Sequence, residues 1–307
     1  MEDYSYTVIH EGANKQLLLL KQPKEERFFV AKMLLQEFPN PTELLQLENE
    51  LEVTRSLAIP EVRKAIRREF FQNRHALILE YFNGETLHGA FLDKKQPLTV
   101  FLKVAIHVAH TLGLLHRHNI IHKDINKFNI LVNLNANNIK IIDFEISSRI
   151  DVKKRFVGNP EHLEGTLAYI SPEQTGRMNR RLDYRSDLYS LGITFYEILT
   201  GKLPFTATDV LELVHLHIAQ TPQPPHLVNP DIPEVLSEII LKLLSKNAED
   251  RYQTAFGLQK DLEICLTHLE KQGSIPHFPI AKEDFSGQLQ VVQKLYGREE
   301  ELTTLLT

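Results

Sequence analysis

The chain of 307 residues contains a single cysteine, Cys265. One thiol cannot build a disulfide framework, so the fold has to be stabilised by its own core, and a chain of this length can bury one of sufficient size. Cys265 stands in an apolar stretch near the C-terminus, where we expect it to be buried as a small hydrophobic side chain.

Leader and membrane features are also lacking. The first residues are Met-Glu-Asp, which is acidic and has no basic segment of the kind that opens a signal peptide. No apolar run approaches the roughly 20 residues of a membrane span. The sequence therefore predicts a cytoplasmic protein without a membrane span, although sequence beyond Thr307 could supply a tether.

Charge gives no reason to expect a nucleic-acid partner, because the net charge is −5 and the pI is near 6.3. One local basic cluster occurs in the first third of the chain, and we expect it to be a solvated face. Its members are Arg63, Lys64, Arg67, Arg68 and Arg74.

Two glycine-rich nucleotide motifs are absent, G-x-x-x-x-G-K-[ST] and G-x-G-x-x-G. Residues 121–132 instead read IHKDINKFNILV, and residues 141–144 read IIDF. Asp124, Asn129 and Asp143 there supply the groups needed to accept a hydroxyl proton and to hold magnesium on a nucleotide. The pattern predicts phosphoryl transfer, and the alternative is a loop whose Asp and Asn side chains bond their own backbone.

The spacing of these residues resembles the protein kinase catalytic loop H-R-D-L-x-x-x-N, followed by D-F-G. The resemblance implies that Asp124 accepts the substrate hydroxyl proton, that Asn129 binds one Mg²⁺, and that Asp143 bridges the metals to the phosphates of ATP. It also places His122 behind Phe144. A zinc site remains an alternative use of the histidines crowded into residues 107–122, although no cysteine or carboxylate joins them at a ligand spacing.

Lys32 ends a strand-like run over residues 27–32, where the kinase lysine that contacts the α- and β-phosphates is expected. Residues 41–57 are helical by their apolar period, and Glu50 lies in the apolar stripe. Glu48 and Glu52 are each rotated about 160° from Glu50. Glu50 is therefore the predicted partner of Lys32, and the alternative is that all three Glu residues are solvated.

The resemblance also implies an adenine site. Residues 76–82 form a buried strand that ends in an Asn-Gly turn, similar to the kinase hinge, so Glu80 and Phe82 are the predicted adenine contacts. Aligned back from Lys32, residues 10–17 cover the glycine-rich loop, in which Gly12 and Leu17 match the family pattern.

Further landmarks follow in the family's order. Residues 165–173 look like the segment that leads into A-P-E, and Thr166 is the threonine typical of Ser/Thr kinases, which would contact Asp124. Asp187 would hold the catalytic-loop backbone, and Arg251 would pair with Glu173. These landmarks imply an α+β, two-lobed protein-kinase-like fold.

The lobes are expected to divide the chain unequally. Residues 1–82 would form a small, mainly β lobe with one helix, and residues 83–270 a larger, mainly α lobe. Residues 271–307 would form a linker leading into a following ATPase module. Residues 163–180 resemble bacterial hybrid proteins in which a Ser/Thr kinase precedes an ATPase module and a sensor histidine kinase, and residues 288–307 resemble the opening of that ATPase module.

Departures from the family pattern leave the activity open. His10 and Lys15 replace two glycines of the loop, which predicts a looser phosphate cradle. Glu145 replaces the D-F-G glycine and could repel ATP or add a metal ligand. Asn126 stands where Ser/Thr kinases usually carry Lys, unless Lys127 compensates.

We therefore expect a Ser/Thr protein kinase that uses ATP and Mg²⁺ on a protein substrate. A pseudokinase that binds nucleotide or acts as a scaffold is the alternative. A small-molecule kinase of related fold is a third reading, which the segment 165–173 disfavours.

Overall fold

The computed structural model describes residues 4–22, 27–150, 163–178 and 180–285. The N-terminal lobe contains β1 (Ser5–Glu11), β2 (Lys15–Gln22), β3 (Arg27–Leu34), α1 (Pro41–Arg55), β4 (Ala65–Phe71) and β5 (Arg74–Glu80). Its strands form one antiparallel sheet in the order β1-β2-β3-β5-β4. The expected small β lobe with one helix is confirmed.

Apolar residues line both faces of this sheet, because side chains alternate along each strand. One face carries Leu18, Leu20, Ala31, Met33, Phe71, Ala76 and Ile78. The other face packs against α1, where Leu47 of the helix clusters with the strand residues Val30, Leu34, Ala65, Leu77 and Leu79. Burial on this second face fixes the position of α1 against β3. It therefore also fixes the position of Glu50 relative to Lys32.

Local sequence sets the start of α1. The side chain of Asn40 accepts a hydrogen bond from the backbone N–H of Glu43 at 2.9 Å, and the Asn40 N–H donates to the Glu43 carboxylate at 3.0 Å. This capping box, with Pro41 in the first turn, satisfies two otherwise unpaired N–H groups and fixes the rotation of the helix.

The C-terminal lobe is mainly helical, as expected. Its short strands are β6 (Glu85–Thr86), β7 (Ile120–Ile121), β8 (Ile130–Asn133), β9 (Asn138–Ile141) and β10 (Ser148–Arg149). Its α-helices are α2 (Leu98–Arg117), α3 (Arg185–Thr200), α4 (Val210–Ala219), α5 (Pro225–Val228), α6 (Glu234–Leu243) and α7 (Ala255–Gln272). Shorter turns of π- or 3-10 helix are His88–Leu92, Leu167–Tyr169, Pro172–Thr175 and Ala248–Asp250.

Helix α2 corrects the expectation that no apolar run approaches the length of a membrane span. The helix of 20 residues is long and apolar enough to cross a membrane, by length and composition alone. In the fold, Leu102, Val108, Leu112 and Leu115 of α2 lie fully buried in the core of the C-terminal lobe. The apolar run is thus accounted for by packing beneath the loop that follows it.

The C-terminal lobe extends beyond residue 270, where the linker was expected to begin. Helix α7 ends at Gln272 and is capped by Gly273, and Phe278 and Ile280 then pack against the lobe's core. The carboxylate of Asp284 accepts hydrogen bonds from the backbone N–H and hydroxyl of Thr254, both at 2.8 Å. The stretch that resembles an ATPase opening lies outside the described residues.

Cys265 on α7 is fully buried, as predicted, and burial raises its thiol pKa to about 12. A thiol of this pKa stays protonated at neutral pH and contributes packing only.

Candidate active site

Asp187, in the first turn of α3, anchors the backbone of the loop that follows β7. Its fully buried carboxylate accepts hydrogen bonds from the backbone N–H of His122 at 2.9 Å and of Lys123 at 2.8 Å. His116 of α2 contacts the same carboxylate at 3.0 Å. The predicted contact between Asp187 and the loop backbone is therefore formed, and it ties the loop to two helices of the core.

The carboxylate of Asp124 is oriented by one partner on each oxygen. Oδ1 accepts the backbone N–H of Thr166 at 2.8 Å, and Oδ2 accepts the side-chain amide of Asn129 at 2.8 Å. Thr166 thus reaches Asp124 through its backbone, while its hydroxyl lies 3.3 Å from the amide of Asn126. The arrangement presents a fixed, partly exposed carboxylate at the mouth of the loop.

Asn129 and Asp143 offer oxygen ligands, the type that Mg²⁺ prefers. The amide nitrogen of Asn129 donates to Asp124, which leaves its carbonyl oxygen to face a cation. Asp143 has a left-handed backbone with φ of 69°, a conformation that is uncommon outside glycine and is enriched at functional sites. The donor set therefore fits magnesium.

Lys32 contacts three carboxylates. Its Nζ lies 2.5 Å from Glu50, 3.0 Å from Asp143 and 3.0 Å from Glu145. Burial by itself lowers the pKa of Lys32, but the charges of Asp143, Glu50 and Glu145 outweigh burial and raise it. Lys32 is therefore a buried cation, and the predicted pair with Glu50 is formed.

The same contacts act on Asp143. Burial disfavours its charged form, but the charge and hydrogen bond of Lys32, with smaller contributions from Lys15 and His122, lower its pKa to about 2. Asp143 is ionised at neutral pH, as a metal-binding carboxylate must be.

Arg63 was expected on a solvated face, and that prediction is wrong. Its side chain is buried, and its guanidinium lies 4.0 Å from the second oxygen of Glu50. The backbone N–H of Arg63 donates to Ile141, which draws residue 63 against the start of the Asp143 loop. Glu50 is consequently flanked by two cations, Lys32 and Arg63.

Glu145 is paired through both of its oxygens. Oε1 contacts Lys32, and Oε2 contacts Nζ of Lys15, which also lies 3.4 Å from Gln46 on α1. Ligand oxygens of Glu145, Glu50 and Asp143 all lie within 4.8 Å of one another. The extra carboxylate is thus part of the cluster around Lys32.

Asn49 is a site residue that sequence reasoning missed. Its side-chain nitrogen lies 2.9 Å from the carbonyl oxygen of Phe144, 3.0 Å from that of Glu145 and 2.9 Å from that of Ser147. Helix α1 therefore fixes the segment after Asp143 through Asn49. The only sequence signal is an Asn, a poor helix former, in the middle of a helix.

The other residues predicted to bind the nucleotide lie on β2 and β5, the two strands that flank β3, and in the turn after β5. Leu17 lies directly opposite Lys32 in the β2–β3 register. The Glu80 carboxylate pairs with Lys140 at 2.8 Å, so we expect an adenine contact of Glu80 to use its backbone. The Phe82 ring lies over Gly84, where an added Cβ would stand 2.4 Å from it, so this turn requires glycine.

Gly12 closes the hairpin between β1 and β2. Its backbone N–H donates to the carbonyl of Lys15 at 2.9 Å, and a Cβ at this position would meet that carbonyl at 3.3 Å. The turn therefore favours glycine at position 12 and projects the side chain of Lys15 toward Glu145.

Lys127 does not take the place of the usual loop lysine. Its Nζ pairs with Glu197 of α3 at 2.7 Å, and Glu197 also accepts the hydroxyl of Tyr169. Lys127 is thus engaged in a nearly buried structural contact. Lys123, at the usual arginine position, pairs with Glu164 at 3.1 Å.

The histidine-rich stretch gives the zinc alternative no support. His122 packs on Phe144 with ring centroids 4.7 Å apart, and one of its nitrogens lies 3.0 Å from the carbonyl of Ile142. Within the described residues, the group of side chains close enough to share a metal ion is Glu50, Asp143 and Glu145, which includes no histidine.

Arg251 and Glu173 form the predicted ion pair, at 2.7 and 2.9 Å between their two nitrogens and two oxygens. Both side chains are buried, and Ser186 donates to the same carboxylate at 2.7 Å. The pair fastens the segment after Thr166 to the core.

Comparison with known proteins agrees with this geometry. The family described as "Protein kinase domain" matches residues 6–262. A probable serine/threonine-protein kinase of Clostridium perfringens is 32% identical over 257 residues, which are 83% of this chain and 37% of that protein. The serine/threonine-protein kinase PknB of Mycobacterium tuberculosis is 34% identical over 188 residues, 61% of this chain and 29% of PknB.

A third relative is a hybrid signal transduction histidine kinase, G, of Dictyostelium discoideum. It is 36% identical over 185 residues, which are 54% of this chain and 5% of that protein. The chain thus spans well under half the length of these relatives. Since the family match covers both lobes and every element of the site, the chain belongs to the protein kinase domain family.

Proposed function

We propose that this chain transfers the γ-phosphate of ATP, bound with Mg²⁺, to Ser or Thr hydroxyls of a protein substrate. The observation that carries the proposal is the simultaneous contact of Lys32 with Glu50 and Asp143, at 2.5 and 3.0 Å. Protein kinases need the lysine–glutamate pair and the metal-binding aspartate in place at the same time.

Each residue then has a definite task. Asp124 accepts the proton of the attacking hydroxyl, and its two hydrogen-bond partners aim it at that hydroxyl. Lys32, fixed by Glu50, holds the α- and β-phosphates in line. Magnesium held by Asn129 and Asp143 would neutralise the charge that spreads over the phosphates.

The choice of Ser or Thr as the acceptor rests on two observations. Thr166 lies beside Asp124, as in the Ser/Thr kinases that the sequence resembles. The bacterial relatives reported above are named serine/threonine-protein kinases.

We also propose that the chain works with further modules. The Dictyostelium relative is a hybrid histidine kinase of which the matched region is only 5%. Residues 163–180 resemble bacterial proteins in which a kinase precedes an ATPase module and a sensor histidine kinase. A kinase domain placed before such modules would pass a signal to them or receive one from them.

The test is phosphate incorporation from radiolabelled Mg-ATP, into the chain itself and into a generic basic protein, followed by phosphoamino-acid analysis. We expect phosphoserine or phosphothreonine from the wild type, none from Asp124→Asn, and normal labelling from Asp93→Asn, a control on an exposed side chain. No incorporation by the wild type at saturating nucleotide, with Mn²⁺ also tried, would contradict the proposal and favour the pseudokinase.

A further inference from the structure

Two positions at which protein kinases carry glycine contact each other here as an ion pair. Lys15 stands at the last glycine of the loop and Glu145 at the glycine that follows Asp143 and Phe144. They are 130 positions apart in the sequence, yet Nζ of Lys15 meets Oε2 of Glu145. Each replacement adds a charge to the nucleotide side of the cleft, and the two charges cancel.

The carboxylate of Glu145 lies between two ammonium groups. Lys15 meets one oxygen, and Lys32 meets the other at 3.0 Å. The oxygens of one carboxylate are close neighbours, so the two ammonium groups are spaced to hold a single small anion between them. A phosphate group is such an anion, and lysine binds it as a point charge.

The contacts of Lys15 place it where a phosphate would arrive. It begins β2 directly after the turn closed by Gly12, and its side chain extends toward α1, where Nζ lies 3.4 Å from Gln46. With a side chain at position 15, the backbone loses the close approach that glycine allows. A long cationic side chain can reach the phosphate that the backbone no longer reaches.

Lys127, which could have replaced the missing lysine of the catalytic loop, is engaged elsewhere. Lys127 pairs with Glu197 at 2.7 Å and is 12% exposed, whereas Lys15 is 26% exposed in the cleft. Exchange of one anion for another therefore leaves the ammonium group of Lys15 paired.

We propose that Lys15 is a nucleotide phosphate-binding residue, and that Glu145 is the anion that phosphate displaces from Lys15 and Lys32. The inference rests on the proposed function, because it takes the ligand to be a nucleotide. One pair of side chains then explains both why two glycines are replaced and how the phosphate site is kept.

Calorimetric titration of the whole chain with adenosine, ADP and ATP, with and without Mg²⁺, tests the inference without relying on activity. We expect Lys15→Met to weaken ATP binding about tenfold or more, the effect of one charge-assisted contact, and to leave adenosine binding unchanged. Lys15→Arg keeps the charge and should stay within about threefold of the wild type. Lys21→Met, on an exposed lysine of the same strand, is the matched control.

Glu145→Gln supplies an independent arm. With the competing anion removed, ATP should bind about three- to tenfold more tightly in the absence of Mg²⁺, since less charge has to be displaced. If a Lys15 variant does not unfold cooperatively, the titration of Glu145→Gln tests the proposal by itself.

The outcomes separate the two proposals. If the wild type binds neither adenosine nor ATP, the proposed function fails and this inference fails with it. If the wild type binds ATP but Lys15→Met changes nothing, or weakens adenosine and ATP equally, Lys15 does not bind phosphate. Weaker ATP binding by Glu145→Gln would overturn the role of Glu145 as the displaced anion and indicate a metal ligand instead.

Discussion

The side-chain nitrogen of Asn49 lies 2.9 Å from the carbonyl oxygen of Phe144, which joins the middle of α1 to the residue after Asp143, the predicted metal ligand. The same nitrogen reaches two further carbonyl oxygens, those of Glu145 and Ser147. Any displacement of α1 therefore displaces the Asp143 loop. Glu50 and Asp143, which have to be in place together, are coupled through their neighbours.

Replacement of Asn49 by Asp tests this coupling. The new carboxylate would face three carbonyl oxygens and repel them, so we expect loss of about 1–3 kcal/mol in the free energy of unfolding. We also expect faster hydrogen exchange in residues 144–147 and slower phosphate transfer. Urea denaturation and exchange mass spectrometry measure these effects, with Glu48→Gln, on an exposed neighbour, as control. Equal exchange in both variants would refute the coupling.

Glu50→Gln removes one of the three carboxylates on Lys32. Nζ of Lys32 would then be held by Asp143 and Glu145 alone, which pulls it away from the position set by α1. A misplacement of about 1 Å costs on the order of a hundredfold in rate, and we expect a loss of that size in kcat/KM for ATP. Unchanged steady-state kinetics would show that Glu50 does not position Lys32.

The buried pair of Glu173 and Arg251 predicts an acid-sensitive fold. Burial raises the pKa of Glu173, but Arg251 and Ser186 lower it below its ordinary value of 4.5. The pair therefore stabilises the fold above about pH 4.5 and loses this contribution as the pH falls through the folded-state pKa.

We expect Glu173→Gln to lower the free energy of unfolding by about 3–5 kcal/mol at pH 7, because Arg251 is left buried without its anion. Urea unfolding between pH 3 and 7 should show the difference between wild type and variant shrinking toward the acid end. A constant difference across that range would contradict the assigned pKa shift.

Lys246 predicts a rise in stability on the alkaline side. Burial, and then the charge of Arg251, lower the pKa of Lys246 to about 7 from 10.5. Its Nζ lies 3.4 Å from the hydroxyl of Tyr189 and 4.3 Å from the centroid of Phe205, beside His217, whose pKa is lowered to about 4. Between about pH 7 and 10.5, the folded and ordinary pKa values of Lys246, the unfolded chain holds a proton that the folded chain has released.

Unfolding therefore takes up a proton, and the free energy of unfolding should rise from pH 7 to about pH 10. Lys246→Met lacks this group, so its stability should rise less over the same interval, as measured by urea denaturation. Parallel curves for the two proteins would show that Lys246 is charged in the folded state at pH 8 and above.

The sequence predicted the parts of the site that carry a local pattern. The spacing of Asp124, Asn129 and Asp143, and the helical period that selects Glu50, required no knowledge of distant contacts. Asp187 and Arg251 also followed from matching motifs. The two-lobed fold followed from the order of these landmarks.

The remaining features depend on partners that leave no trace in the local sequence. The acceptors of Asn49 are backbone carbonyls about a hundred positions away, and any residue type supplies them. Arg63 looked like a member of a solvated cluster, because the pattern of charges does not reveal that Glu50 draws one arginine inward. Lys127 pairs with Glu197, and Lys15 pairs with Glu145, across long stretches of sequence, so these ion pairs are visible only in the folded chain.

In the proposed function, Asp124 performs the chemical step on a nucleotide that other residues hold. Single-turnover phosphate transfer and ATP affinity, measured on the same samples of wild type and Asp124→Asn, test it most directly. We expect equal ATP affinity and transfer at least about a hundredfold slower in the variant, the usual effect of losing a positioned base. Equal transfer rates, or ATP binding without transfer in the wild type, would contradict it.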